Sequence, residues 1–427
     1  MSEVAVAQTA TEPEPLTPDF YRYDWSPLRS AHRDGRFVHL EWPDGVTLVV
    51  LDWWLRENAV GAGGVDPQTR EGMLDPSLLD ENARVATATI SDTGALVVGF
   101  NDTADGADIQ YHPGWLRHVA DGRHQPDSWL PTPVSWTTAQ LNEPVSSNGA
   151  EVLAELTTSN NEGELRHYPN LAQFVRDLLT YGVARLQNTG IEPDLLLTLA
   201  SAFGPARTTN FGEIWDVRAL GLQDGQSLTN STANTTARLG PHTDLPTRET
   251  PPGFQFLHCV QNEAPTGGYS TMTDGLALVD HIRTVHPSDY EALTSLNWIF
   301  FNRGRGIDHR WSGPLIDISS PNAPLTLRAF YPVKAFPDMA PEDMPRAYDA
   351  MARFYRLAAT PEFMMEFPFA PGDVVAFDNR RVLHGRTEYL SQYGRHLRGI
   401  YVDHDEVYSF ARVQARVAES TQVPPSR

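Results

Sequence analysis

The spacing of apolar and polar positions changes several times along the chain. From about Arg36, short apolar alternations bounded by Gly, Asp and Pro recur as FVHLEW, VTLVVLDWWL and, after a gap, GALVVGF. A period of two over such lengths predicts half-buried strands, so these pieces form a small β-rich unit ending near WLRHVADG. Between them, ENAVGAGGVDPQTREGML reads as an irregular loop. The period then lengthens: LAQFVRDLLTYGVARLQN predicts an amphipathic helix running into a strand, and DLLLTLASAFG a second helix closed by Gly204. Short strand-like pieces follow: GFQFLHCV, YSTMTDG, LNWIFF, LTLRAF, DVVAFDN and LRGIYVD. One helix, RAYDAMARFYRLAA, interrupts them. Many short strands with turn signals and few helices predict a mainly β sandwich or barrel with flanking helices.

These changes divide the chain. Residues 1–19 are small, acidic and proline-bearing, which predicts a disordered tail. Residues 20–124 form the small β-rich N-terminal domain. Residues 125–147, with scattered Pro and Trp, read as a linker, and 148–427 as the larger domain.

Composition narrows the function. Asp and Glu number 54 against 33 Lys and Arg, a formal charge of −21. That field repels phosphate backbones and anionic membranes, so neither nucleic acid nor membrane is an expected partner. Cys259 is the one cysteine, which rules out an intrachain disulfide and fits a reducing compartment. No signal-peptide pattern opens the sequence and no apolar run approaches a bilayer span, so the expected location is the cytoplasm.

Candidate chemistry begins at LGPHTDLP. His242 and Asp244 stand two apart, so on a strand both would point to one face and could grip one ion. His32-Arg33-Asp34 has the same spacing, so the pair alone decides nothing. Two His and one carboxylate on one face is the iron-holding arrangement of non-haem Fe(II) oxygenases. The third ligand is expected from a distant strand, and His384 in GDVVAFDNRRVLHGRTEY is the best placed. With 14 His in the chain, surface or satisfied core roles are the ordinary reading, and His258, His281 and His396 are read that way. Arg395, in GRHLRGIYVDHD, adds a guanidinium fork for a carboxylate. Alternation puts Arg395, Leu397, Gly399 and Tyr401 on one face, away from His396 and Arg398.

At this point HTDLP, PPGFQFLHCVQNEAPTGGYSTMTDG, FDNRRVLHGRTEY and RHLRGIYVDHDEVYS resemble the γ-butyrobetaine and trimethyllysine hydroxylases. These belong to the taurine-dioxygenase-like, 2-oxoglutarate-dependent oxygenases. The resemblance covers most of residues 165–415, and LDWWLREN resembles the opening of the small domain of those enzymes. It implies a double-stranded β-helix (jelly-roll) catalytic domain and a C–H oxidation that uses Fe(II), 2-oxoglutarate and O2. Carried over by position, it implies His242, Asp244 and His384 as iron ligands, Arg395 on the 2-oxoglutarate C5 carboxylate, and Ser270 assisting there. Members of the group often pair as homodimers, although nothing in this sequence demands it.

The sequence also departs from that pattern. The relatives' small domain holds zinc through cysteines where this chain reads Asn58–Gly64, without one. The expectation is a loop held by packing alone. Phe211, Trp215 and Tyr401 match three positions of the aromatic cage for a trimethylammonium, whereas a fourth is Asn234. Ser231 and the stretch Arg328-Ala329-Phe330-Tyr331 stand where substrate-binding asparagines are expected, and Arg328 could bind an acid group if it faces the pocket. These departures point to a small amine or amino-acid-derived substrate rather than γ-butyrobetaine. Three readings stay open beside this one: a true γ-butyrobetaine hydroxylase, a catalytically silent metal-holding jelly-roll that binds a small molecule, and a zinc hydrolase with no need of Arg395.

Overall fold

Alternating Val and Leu fix the first layers of a computed structural model that describes residues 14–78, 83–102, 108–157, 166–218, 222–223, 226–227, 232–264, 266–302, 306–318, 325–390 and 394–422. Residues 1–13 of the expected tail, and Ser231, lie outside that set. The chain divides into two compact units, Met1–Ser128 and Trp129–Arg427. Among the described residues, no helix is long and apolar enough to cross a membrane.

In the first unit, strands Ser30–Asp34, Phe37–Glu41 and Thr47–Leu51 form one antiparallel sheet. Strands Val85–Ile90, Leu96–Phe100 and Ile109–Tyr111 form another. Val38 and Leu40 point inward with Trp42, Leu96, Val98 and Trp115 to make the core. The run VTLVVLDWWL is not one strand: it stops at Leu51, and Asp52–Glu57 is helical. Asp52 explains the switch, because its buried carboxylate accepts from the Trp53 N–H (2.8 Å) and pairs with Arg36 (3.0 Å). The first six residues of WLRHVADG likewise lie in a helix, Pro113–Ala120, whose first N–H groups are capped by His112 Nδ1.

The Asn58–Gly64 loop is held by more than packing. Arg56 donates to the Ala62 carbonyl (2.9 Å), pairs with Asp102 (3.2 Å) and lies over the Phe100 ring. Backbone bonds from Gly61 N–H to Val65 and from Val65 N–H to Ala59 close the turn.

In the second unit, a six-stranded sheet runs Val145–Asn148, Val183–Gln187, Val374–Asp378, Phe254–Asn262, Arg395–Val402, Trp215–Arg218. Only its first pair is parallel. A four-stranded antiparallel sheet runs Leu239–His242, Val382–Arg386, Ser270–Asp274, Met364–Phe367. The two sheets face each other: Leu257, Cys259, Val375 and Leu397 of the first pack with Met272, Met365 and Phe367 of the second. The opposite face of the larger sheet, with Phe254 and Phe256, is covered by helices Gly149–Thr157, Pro169–Tyr181, Leu195–Ala200 and His404–Gln422. A third cluster gathers helices Gly275–Val285, Pro287–Ser295 and Met344–Ala358 around Trp298 and Phe300.

The molecule is therefore mixed α/β rather than mainly β. Of the stretch expected as a linker, residues from Trp129 onward belong to the second unit. Trp136 is buried there, its N–H bonded to Asp274 and its indole to the Tyr181 carbonyl. LTLRAF pairs only at Thr326–Leu327, and the helix expected to close at Gly204 ends at Ala200.

One buried ion pair ties these layers together. Asp274 accepts from Arg381 at 2.8 and 3.2 Å, while Arg381 also donates to the carbonyls of Thr180 and Val134. Removing the acid leaves a guanidinium charged and unpaired in the interior. Asp274→Ala is expected to lower unfolding free energy by about 3–5 kcal/mol, read by urea denaturation.

Candidate metal centre

The strand Leu239–His242 pairs with Val382–Arg386 so that His242 sits directly opposite His384, their rings 4.1 Å apart. Thr243 turns away: its hydroxyl donates to the Leu327 carbonyl and accepts from the Ala329 N–H. Asp244 thereby returns to the side of His242. Its Oδ1 lies 3.5 Å from His242 Nε2 and its Oδ2 3.7 Å from His384 Nε2. One ligand atom from each residue lies within 4.8 Å of the others, and among the described residues no other group of His, Cys, Asp or Glu is gathered this way.

The surroundings prepare these atoms for a cation. His242 Nδ1 donates to the Gly240 carbonyl (2.9 Å), which turns Nε2 toward Asp244. Burial, reinforced by neighbouring His242, pushes the His384 imidazole down to about 3, so it is neutral at physiological pH. Burial works against the Asp244 carboxylate. The two imidazoles and the Tyr401 hydroxyl, which donates to Oδ2 at 2.8 Å, more than reverse that and hold it below the usual carboxylate range. Two imidazoles and one carboxylate are the donor set of a 2-His-1-carboxylate iron centre.

Residues outside the triad hold it in place. Asn379 is fully buried, accepts from the Asp244 N–H (2.6 Å) and donates to the Asp244 carbonyl (3.0 Å). Arg328 does not face the pocket. It lies over Trp311 and donates to the carbonyls of Pro246, Arg248 and Glu249, clamping the loop after Asp244. Asn379→Ala is expected to weaken Mn(II) binding roughly 10- to 100-fold, read by calorimetric titration, because Asp244 loses both backbone partners.

From the triad a pocket extends between the two sheets, past Leu257, Met272, Leu397 and Trp215, to Ser270 and Arg395. Trp215 reaches this wall because Gly399 has no side chain: a Cβ there would stand 2.4 Å from the indole. Arg395 is buried, its Nε has no hydrogen-bond partner, and among the described residues no carboxylate pairs with it. Burial and neighbouring Arg386 push its guanidinium down to about 10, so an anion placed there gains a desolvated, unpaired fork. Gly267 and Gly268, both with positive φ, let the chain turn over Arg395, whose Cδ would lie 3.5 Å from a Cβ at Gly268. Arg386 is committed elsewhere, to the carbonyls of Ala233, Thr235 and Ala237.

His242, Asp244, His384, Arg395, Ser270 and Trp215 thus come together in one pocket. Tyr401 lies beneath Asp244 rather than along the cavity wall, and Phe211 is 46% exposed and outside the pocket lining. Asn234 closes the short turn Thr232–Asn234, and its neighbour Ala233 lines the pocket. His258 bonds the Gly190 carbonyl, His396 bonds Asp216, and His281 packs on Phe363. His32 stacks on His39 at the strand pair Ser30–Asp34 and Phe37–Glu41. Asn379 and Gln255 escaped the sequence reading. Their signal was a polar residue inside an apolar run, FDN and GFQFL.

The profile of the family described as "Taurine catabolism dioxygenase TauD, TfdA family" matches residues 151–401, and the chain belongs to that family. It is an Fe(II)- and 2-oxoglutarate-dependent dioxygenase. The gamma-butyrobetaine dioxygenase of Pseudomonas sp. (strain AK-1) is 34% identical over 387 residues, 90% of this chain and 95% of that protein. The Homo sapiens gamma-butyrobetaine dioxygenase is 30% identical over 280 residues, 62% of this chain and 68% of that protein. The solved structure of asparagine oxygenase in complex with Fe(II), 2S,3S-3-hydroxyasparagine and succinate aligns with TM-score 0.46 and 18% identity, covering 61% of this chain and 93% of that chain.

Proposed function

We propose that the chain oxidises an unactivated C–H bond of a small amine or amino-acid-derived substrate other than γ-butyrobetaine, on a double-stranded β-helix formed by its two facing sheets. His242, Asp244 and His384 hold the iron. Arg395, assisted by the Ser270 hydroxyl, holds the far carboxylate of 2-oxoglutarate. Fe(II) with 2-oxoglutarate supplies the O2-dependent oxidation of the C–H bond, with succinate and carbon dioxide as the by-products. The chain's own work is to orient the ligands and exclude water, which Leu257, Met272 and Leu397 do from the pocket walls.

The observation that carries the substrate reading is the state of the expected cage. A quaternary ammonium is held by several aromatic faces at once, each contact worth roughly 0.5–2 kcal/mol. Of Phe211, Trp215 and Tyr401, Trp215 alone lines the pocket, while Tyr401 spends its hydroxyl on Asp244. One indole beside apolar walls suits a compact, partly apolar amine. A second reading, oxidation of γ-butyrobetaine itself, is favoured by the 34% identity over 90% of the chain. Succinate release over a panel of amines and amino acids, γ-butyrobetaine included, decides between them. The expected result is faster turnover of another panel member, and γ-butyrobetaine as the fastest substrate would reverse the assignment.

A further inference from the structure

Gln255 has no role in the centre described so far, yet its placement demands one. It is 1% exposed, it lines the same pocket as Asp244, and its Oε1 is buried with no hydrogen-bond partner. The strand that carries it, Phe254–Asn262, otherwise sends apolar groups to this side: Leu257 and Cys259 occupy the next two positions of the same face. A leucine or methionine at 255 would fit that pattern without leaving a buried amide unsatisfied. An unpartnered polar group in such a place is costly unless something bound completes it.

The sheet register says what lies opposite. Gln255 is paired with Phe377 on one side and Tyr401 on the other. Residues directly opposed in antiparallel strands point to the same face, so the three side chains rise in one row. Both neighbours touch the metal ligands: the Phe377 ring is 4.6 Å from that of His384, and the Tyr401 hydroxyl bonds Asp244. The amide therefore emerges under the triad, between the supports of two of its members. Arg395 lies on the same face of the neighbouring strand, with Leu397 and Gly399 between it and Tyr401. A co-substrate anchored at Arg395 and reaching the triad would run along this face, past Gln255.

From this juxtaposition we infer that Gln255 is a binding residue for the metal-held, 2-oxo acid end of the co-substrate. That end offers only acceptor oxygens, and a half-turn of the glutamine amide presents its NH2 to them. The assignment rests on the established requirement for Fe(II) and 2-oxoglutarate and not on the choice of oxidised substrate.

The test uses the full chain loaded with Mn(II), with 2-oxoglutarate affinity read by calorimetry and folding by the melting temperature of the metal-free protein. Gln255→Met, of similar shape and without polar atoms, is expected to weaken 2-oxoglutarate binding roughly 10- to 100-fold. Mn(II) affinity without 2-oxoglutarate should stay within about twofold, and the metal-free melting temperature should be unchanged or higher, since an unsatisfied buried group is removed. Gln255→Glu keeps the shape, removes the donor and sets a carboxylate against a carboxylate, so it should weaken 2-oxoglutarate more than Met does. Unchanged 2-oxoglutarate affinity in both variants would overturn the inference. So would an equal loss of Mn(II) affinity without co-substrate, which would place the amide on the metal or its water. Arg395→Ala serves as the control: an unaffected Arg395 variant beside a weakened Gln255 variant refutes the Arg395 anchor alone.

Discussion

Asp244→Ala should lose more than about 100-fold in metal affinity and reduce succinate formation to background, because loss of a mere outer partner of a ligand already costs roughly 10–100-fold. Asp244 is the one anionic member of the triad, and it stands within 3.7 Å of both imidazoles. Without it the two His present no negative charge to balance a divalent cation. Mn(II) titration and succinate assays on purified, folded protein check the result. A variant that keeps wild-type metal affinity would remove Asp244 from the centre.

Arg395→Ala should weaken 2-oxoglutarate roughly 30- to several-thousand-fold, the range for truncating one partner of a buried charged pair. The guanidinium has no carboxylate of its own among the described residues, so its binding free energy is reserved for a ligand. Arg395→Lys should recover part of the loss, since it restores the charge without the planar fork. Mn(II) affinity measured without 2-oxoglutarate should not move in either variant. Turnover independent of Arg395 would instead favour hydrolytic chemistry at the same triad.

The centre was legible in the sequence where a simple periodicity governs the backbone. His242 and Asp244 share a face by their spacing, and strand alternation correctly grouped Arg395, Leu397, Gly399 and Tyr401. Alternation failed where the strand did. Pairing in LTLRAF ends at Leu327, so nothing in its period tells that Arg328 turns to the carbonyls of residues 246–249. Facing inward is also not the same as facing the ligand, and Tyr401 points in only to be taken up by Asp244.

Helix content was underestimated for a related reason. An apolar run such as VTLVVLDWWL crosses a strand–helix boundary without a break in hydrophobicity, and only the buried Asp52 marks the change. The prolines and tryptophans of 125–147 resembled a linker, but Trp136 is an anchor: its backbone and indole bonds are made by residues far away in sequence. Such contacts leave no local trace.

Arg56 gives the small unit a property of its own. Its guanidinium links the Asn58–Gly64 loop to Asp102 and Phe100 through a carbonyl hydrogen bond, an ion pair and a ring contact. That loop is accordingly expected to keep its shape in the presence of a chelator, which hydrogen exchange with and without one checks.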